Sequence, residues 1–252
     1  DEPEIVLFFC RENQHIFETR SADGGLSWSA PRELTGWSRP ADWLWLAVGP
    51  PGALVTSGGR WVLPCDGLTG SKQIYKAEGV FSFVLLSDDR GGTWRMQSSP
   101  LLEGGNECQA AELPDGTLAL NMRSRDAVRL HSISADGGET WSPPRRALPS
   151  AIPDANCQGS MIRWVHGAGA SPDSSQEPLP LVLSTSVGPG RRQLMARTSR
   201  DGIDGWSVHT VIEAGMAGYS AVADLGDGWA GCLYETRRPR PLSVRRRCAG
   251  RA

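Results

Sequence analysis

The stretch Ser134-Ala135-Asp136-Gly137-Gly138-Glu139-Thr140-Trp141 decides the fold, because the chain writes its pattern three times. Ser21-Ala22-Asp23-Gly24-Gly25-Leu26-Ser27-Trp28 and Ser87-Asp88-Asp89-Arg90-Gly91-Gly92-Thr93-Trp94 are the other copies of S-x-D-x-G-x-[ST]-W. A damaged fourth, Ser199-Arg200-Asp201-Gly202 with Trp206, keeps the Asp and the Trp and displaces the second Gly. Each fixed residue has a physical task. The Asp carboxylate accepts bonds from nearby backbone N–H groups and closes a tight turn. Gly supplies the positive φ that such a turn demands. The hydroxyl adds a local side-chain bond, and the Trp buries a large ring between neighbouring sheets.

Working outward, Phe81-Ser82-Phe83-Val84-Leu85-Leu86 precedes the second copy and Val128-Arg129-Leu130-His131-Ser132-Ile133 the third. The latter alternates with period two, the mark of a half-buried strand. Pro31 and Pro143-Pro144 follow the first and third copies. Each copy therefore reads as strand–turn–strand. The copies start 66, 47 and 65 residues apart, against the ~40–50 residues of one propeller blade. The wider intervals imply longer loops, such as the Ser-, Pro- and Gly-rich stretch 168–180. No capped helical pattern extends beyond a turn or two. The expected fold is all-β with radial repetition.

Composition agrees and excludes some functions. The 252 residues carry 30 Gly, 18 Pro and 10 Trp but only 5 Phe and 3 Tyr, as expected of many short strands joined by tight turns. A formal charge of -2 gives no global field for nucleic acid or an acidic membrane surface. Only the end is basic, from Arg237 to Arg251, and a block of like charge reads as a solvated tail. No apolar run approaches the ~20 residues a membrane span needs. The opening Asp1-Glu2-Pro3-Glu4 is not a secretory signal. Six scattered Cys offer no C-x-x-C pair, and His15, His131, His166 and His209 have no metal spacing, so neither a metal nor another cofactor is expected.

The repeated turns resemble the Asp boxes of the sialidase (neuraminidase) superfamily, and the segments between them resemble animal lysosomal and cytosolic sialidases. Asn106-Glu107-Cys108-Gln109 with Asn121-Met122-Arg123-Ser124 is similar to the family's E-C-Q and N-x-R sequences. Gly190-Arg191-Arg192-Gln193-Leu194 resembles the segment bearing another arginine, and the family spacing selects Arg191. Gly218-Tyr219-Ser220 and Leu233-Tyr234-Glu235 look like the G-Y-S and L-Y-E pair. The resemblance implies Tyr219 as nucleophile, Glu107 as its general base, and Arg123 and Arg191 as a clamp on the substrate carboxylate. It also suggests that Gln158, Glu12 and Glu235 touch substrate or orient the groups that do. Asp23, Asp89, Asp136 and Asp201 are then structural turn residues on the outer rim.

Such roles suit the chemistry. A substrate with a carboxylate at its anomeric carbon repels an anionic nucleophile, whereas a neutral phenol escapes that cost. Free Tyr has a pKa near 10, so a carboxylate base is needed to take its proton. The planar, permanently charged guanidinium suits a bidentate carboxylate clamp.

The resemblance implies a six-bladed sialidase-type β-propeller over residues 1–235, with 236–252 as a basic, disordered or aberrant tail. The family's R-I-P segment, its acid/base Asp loop and its last strand are not found, so an incomplete propeller lacking its first and closing strands is expected. The implied activity is exo-α-sialidase, acting on sialylated glycoproteins, oligosaccharides or gangliosides with retention and impaired here by truncation. The rival reading is a non-catalytic sialic-acid-binding propeller or inactive remnant. Compartment divides between lysosomal and cytoplasmic or membrane-associated branches.

Overall fold

Two neighbouring strands, Trp61–Thr69 (β6) and Val80–Ser87 (β7), are buried along nearly their whole length. Strands so apolar need cover on both faces. In the computed structural model, which describes residues 4–34, 36, 40–70, 79–148, 150–164, 181–226 and 229–236, that cover comes from a further sheet on either side. Phe81, Phe83 and Leu85 of β7 join Ile16, Trp43 and Leu63 in one core. Val84 and Leu86, pointing the opposite way, join Val62, Leu118, Leu120 and Trp141 in the next. The alternation repeats outward. Ala119 meets Met161, Leu181 and Leu183 in a third core, and Val182 meets Val222, Ala230 and Cys232 in a fourth.

The described residues thus form a fan of four antiparallel sheets, and the all-β expectation holds. The first runs β1 (Ile5–Arg11), β2 (His15–Ser21) and β3 (Arg32–Glu33). The second runs β4 (Trp43–Val48), β6, β7 and β8 (Arg95–Met96), with β5 (Leu54–Val55) on β6 and β9 (Leu102–Glu103) on β7. The third runs β10 (Cys108–Glu112), β11 (Leu118–Met122), β12 (Leu130–Ser134) and β13 (Arg145–Arg146). The fourth runs β14 (Gly159–Arg163), β15 (Leu181–Gly188), β16 (Arg192–Ser199), β17 (Ser207–Gly226) and β18 (Trp229–Thr236). β17 pairs with β16 up to Met216 and with β18 from Ala217 on. It therefore closes one sheet and opens a new hairpin. The first strands β10 and β14 pack together, and β14 packs on β17, which places the axis on that side of the fan.

The repeated turns do what their residues dictate, except that Trp28 of the first copy stays exposed while Trp94 and Trp141 are buried. Asp136 Oδ1 accepts the Thr140 N–H at 2.9 Å and the Ser134 hydroxyl at 2.7 Å, while Ser134 Oγ accepts the Gly138 N–H at 2.8 Å. Asp89 repeats the pattern with Thr93, and Asp23 with Ser27. Exposed as it is, Asp89 is held down at about 2, mainly by the Thr93 backbone and side-chain bonds. The irregular fourth turn survives: Asp201 Oδ1 accepts N–H bonds from Ile203 (3.0 Å) and Asp204 (2.8 Å), and Trp206 donates to Ile203 O at 3.1 Å.

Arginines tie each sheet to the turn of the next. Arg20 reaches the Arg90 carbonyl at 2.9 Å and Arg32 the Gly92 carbonyl at 3.0 Å. Arg60 reaches Glu139 at 2.9 Å and the Gly137 carbonyl at 3.3 Å. Arg145 grips Asp204 through both Nη atoms, at 2.9 and 2.7 Å. The stretch 168–180 and residues 237–252, assigned above to a long loop and a basic tail, lie outside the described residues.

Candidate active site

Three chain segments meet at one end of the axis because each lies beside a strand near it. Glu107 immediately precedes β10, Arg123 immediately follows β11, and Tyr219 sits just past the point where β17 passes from β16 to β18. Backbone bonds between Arg123 N and Glu107 O and between Asn106 N and Arg123 O, each 2.9 Å, hold the first two together. The Tyr219 hydroxyl donates to Glu107 Oε1, and Arg123 Nη1 donates to Glu107 Oε2 at 2.6 Å. Arg123 Nη1 also stands 3.4 Å from the Tyr219 oxygen. Both members of the Arg123–Glu107 pair are largely buried, with side chains 17% and 13% exposed, so water screens them little.

Burial raises the Tyr219 phenol well above its ordinary value, and the Glu107 carboxylate adds to the shift. The resting site therefore holds a neutral phenol hydrogen-bonded to an acceptor. Arg191 lies at the β15–β16 turn with φ 59°, its guanidinium carbon 5.3 Å from the Tyr219 ring centroid. Its neighbour Arg192 is exposed in β16.

Glu235, on β18, accepts the Tyr219 backbone N–H at 3.1 Å through Oε2. A Cβ on Gly218 would meet that same oxygen and oblige the Glu235 side chain to shift. Gln158 is 1% exposed and its amide serves the backbone, donating to Ser220 O at 2.8 Å and accepting from Ser220 N at 2.9 Å. It joins β14 to β17 as a rung of sheet would. Glu12 lies exposed in the β1–β2 turn with φ 57°. The turn aspartates Asp23, Asp89, Asp136 and Asp201 take no part in the cluster.

A cavity of about 520 Å³ opens beside the cluster. Glu107, Arg123, Arg125 and Tyr219 line it together with the apolar Trp45, Leu68, Val80 and Cys10. It can take an anionic ligand with an apolar substituent. Among the described residues no group of three His, Cys, Asp or Glu is placed to hold a metal ion.

Four participants escaped the sequence reading. Asn156 Oδ1 accepts from Arg123 Nε at 2.9 Å and Nη2 at 2.7 Å, and its carbonyl accepts from Arg191 Nη2 at 3.3 Å. Arg125 lines the cavity. Arg129, fully buried, pairs with Asp154 at 3.2 Å and donates to the Cys157 carbonyl at 2.7 Å. Its one trace in the sequence is a charge inside an alternating apolar run. Asp66, also fully buried, accepts the Asn106 amide at 2.8 Å. Burial pushes its carboxyl well above the usual range, Glu107 reinforces that, and Arg123 opposes it.

Comparison with known proteins fixes the class. Residues 3–232 match the BNR repeat-like domain. A sialidase of Micromonospora viridifaciens is 31% identical over 88% of this chain and 33% of its own length. Sialidase-2 of Cricetulus griseus is 28% identical over 86% of this chain and 60% of its own length. Among solved structures, the Hadza microbial sialidase Hz136 superposes with a TM-score of 0.72 at 24% identity, over 88% of this chain and 42% of that one. Trypanosoma rangeli sialidase in complex with sialic acid gives 0.67 at 20% identity, over 96% and 41%. The chain belongs to the BNR-repeat sialidase superfamily. It spans 60% or less of the length of these relatives.

Proposed function

We propose that the chain carries the glycone site of an exo-α-sialidase, removing terminal sialic acid from glycoproteins, oligosaccharides or gangliosides. One observation carries the reading: Tyr219, Glu107 and Arg123 converge on one cavity from distant parts of the chain. In the proposed reaction the Tyr219 oxygen attacks the anomeric carbon and its proton passes to Glu107. The glycosidic C–O bond breaks, and the leaving oxygen takes its proton from solvent water, since Glu107 is the one carboxylate among the described residues lining the cavity. Water then hydrolyses the tyrosyl–glycosyl bond, and two displacements give net retention. Arg123 and Arg191 hold the substrate carboxylate, countering the charge that would repel a carboxylate nucleophile. The same reading takes residues 1–235 as one domain within a six-bladed ring, which the radial stacking of the four sheets supports.

A second reading has its own observation. Among the described residues the cavity lining holds a single carboxylate, Glu107, with no partner acid to protonate a leaving group. On that reading the chain binds sialosides without cleaving them. Incubating the purified chain with 4-methylumbelliferyl sialoside, alongside a titration with sialyllactose, separates the two. Release of the fluorophore supports the hydrolase, saturable binding without release supports the binder, and neither result refutes both.

A further inference from the structure

A guanidinium has five N–H donors in a fixed plane, so where some are spent determines where the rest point. Arg123 spends Nε and Nη2 on Asn156 Oδ1, at 2.9 and 2.7 Å, and Nη1 on Glu107 at 2.6 Å. Nη1 also lies 3.4 Å from the Tyr219 oxygen, which leaves one Nη2 hydrogen uncommitted among the described contacts. Asn156 touches the other arginine as well, its carbonyl accepting from Arg191 Nη2 at 3.3 Å. One residue thus contacts both cations proposed to clamp the substrate.

The loop bearing Asn156 is fixed from below. Asp154 Oδ1 accepts the Cys157 N–H at 3.1 Å, and Oδ2 accepts the Ser124 N–H at 3.0 Å. Buried Arg129 bridges Asp154 Oδ2 and the Cys157 carbonyl. Asn156 itself adopts φ 54°, a left-handed conformation that Asn tolerates better than other residues with a side chain. Its carboxamide is therefore presented to Arg123 by a left-handed turn held through Asp154 and Arg129. Without that acceptor, the Nε/Nη2 edge of Arg123 is free to fold onto Glu107. The base would then be held bidentately by an arginine, and the donor intended for the ligand would turn away.

We infer that Asn156 is a positioning residue for carboxylate recognition: it fixes the plane of Arg123, ties Arg123 to Arg191, and keeps Glu107 available to Tyr219. The inference rests on the clamp reading of the two arginines. It predicts a selectivity effect as well as a loss of affinity, because the clamp is what distinguishes a free carboxylate from an uncharged ester.

The experiment uses the full 252-residue chain and two probes, N-acetylneuraminic acid and its methyl ester. The parent is expected to prefer the acid. Asn156→Gly keeps access to the left-handed backbone while deleting the acceptor, and is expected to weaken acid binding about tenfold and ester binding little, narrowing the preference. Asn156→Asp neutralises Arg123 and is expected to weaken acid binding further. A parent that binds acid and ester alike, or neither, overturns the clamp reading and this inference with it. A parent that prefers the acid, with Asn156→Gly retaining both affinity and preference, overturns the role of Asn156 alone. Loss in Asn156→Ala with none in Asn156→Gly assigns the effect to backbone strain and likewise overturns it.

Discussion

The Tyr219 hydroxyl donates to Glu107 Oε1 although 112 residues separate the two in the chain. Glu107 belongs to the third sheet and Tyr219 to the fourth, so the contact exists only when adjacent sheets are stacked around the axis. Stability of the fan and competence of the site are therefore one property at this point. The contact also fixes a resting state, with the phenol neutral because burial and Glu107 both oppose its ionisation.

Removing either partner tests that state. Under the proposed reaction, Glu107→Gln should lower kcat by about 10²–10⁴, the usual range for a positioned proton acceptor. Tyr219→Phe should cost at least as much. The phenol is held above its free value near 10, so activity should not gain a rising limb as pH passes that value. Fluorophore release from a 4-methylumbelliferyl sialoside reads both variants. Parent-like turnover in Tyr219→Phe would exclude it as nucleophile.

The two arginines should separate kinetically. Arg191 stacks on the Tyr219 ring and touches the Asn156 carbonyl, whereas Arg123 also holds Glu107. Arg191→Lys, losing the planar fork, should raise KM about tenfold with kcat nearly unchanged. Arg123→Lys should raise KM and lower kcat together, because it disturbs the base as well. Steady-state kinetics at two salt concentrations would check this, and identical profiles for the two variants would contradict it.

What the sequence made legible follows from how local each signal is. The turns could be read because Asp136 satisfies neighbours within four positions, a pattern complete inside eight residues. Radial repetition followed from the three turn copies, their spacing and the strand-like runs before the second and third. Tyr219, Glu107, Arg123 and Arg191 stood out through resemblance of short motifs. Asn156 did not, because its meaning comes from a left-handed turn and from Arg123, 33 positions earlier. Arg129 and Asp66 were hidden for a related reason: burial gives each its importance, and burial belongs to the stacked sheets. Arg20, Arg60 and Arg145 carry no local signal, because each finds its partner only when the next sheet's turn stands beside it.

The turn aspartates should move stability and leave binding alone. Asp136→Ala removes two bonds from Thr140 and one from Ser134, for an expected loss of about 2 kcal/mol. Arg60→Ala should also destabilise the chain, since it severs contacts to Glu139 and the Gly137 carbonyl across a sheet boundary and to Asp88 within its own sheet. Urea denaturation measures both, and sialyllactose affinity of the folded variants should match the parent. A changed affinity with unchanged stability would overturn the structural assignment of the turns.

Two buried groups should give stability opposing pH slopes. His131, fully buried and stacked on Trp206 at 5.8 Å, is pushed down to about 3, chiefly by burial and then by the cations Arg129 and Arg145. Its folded value lies below its unfolded value near 6.5, so the unfolded chain binds the proton first. Stability is then lost as pH falls through that window, by about 1.4 kcal/mol per unit. Asp66 is the reverse case, its carboxyl raised mainly by burial and further by Glu107. The folded chain keeps that proton, so stability falls as pH rises above the unfolded value near 3.9, with the same slope of about 1.4 kcal/mol per unit. Where the two windows overlap, above about pH 4, the slopes offset each other. His131→Asn should therefore gain stability relative to the parent as pH drops from 6.5 to 5. Asp66→Asn should gain relative to the parent as pH rises above about 4. His209, also lowered by burial, adds a slope in the direction of His131. Urea midpoints at half-unit pH steps resolve the pattern, and variants whose profiles run parallel to the parent's would show that neither group titrates as its surroundings dictate.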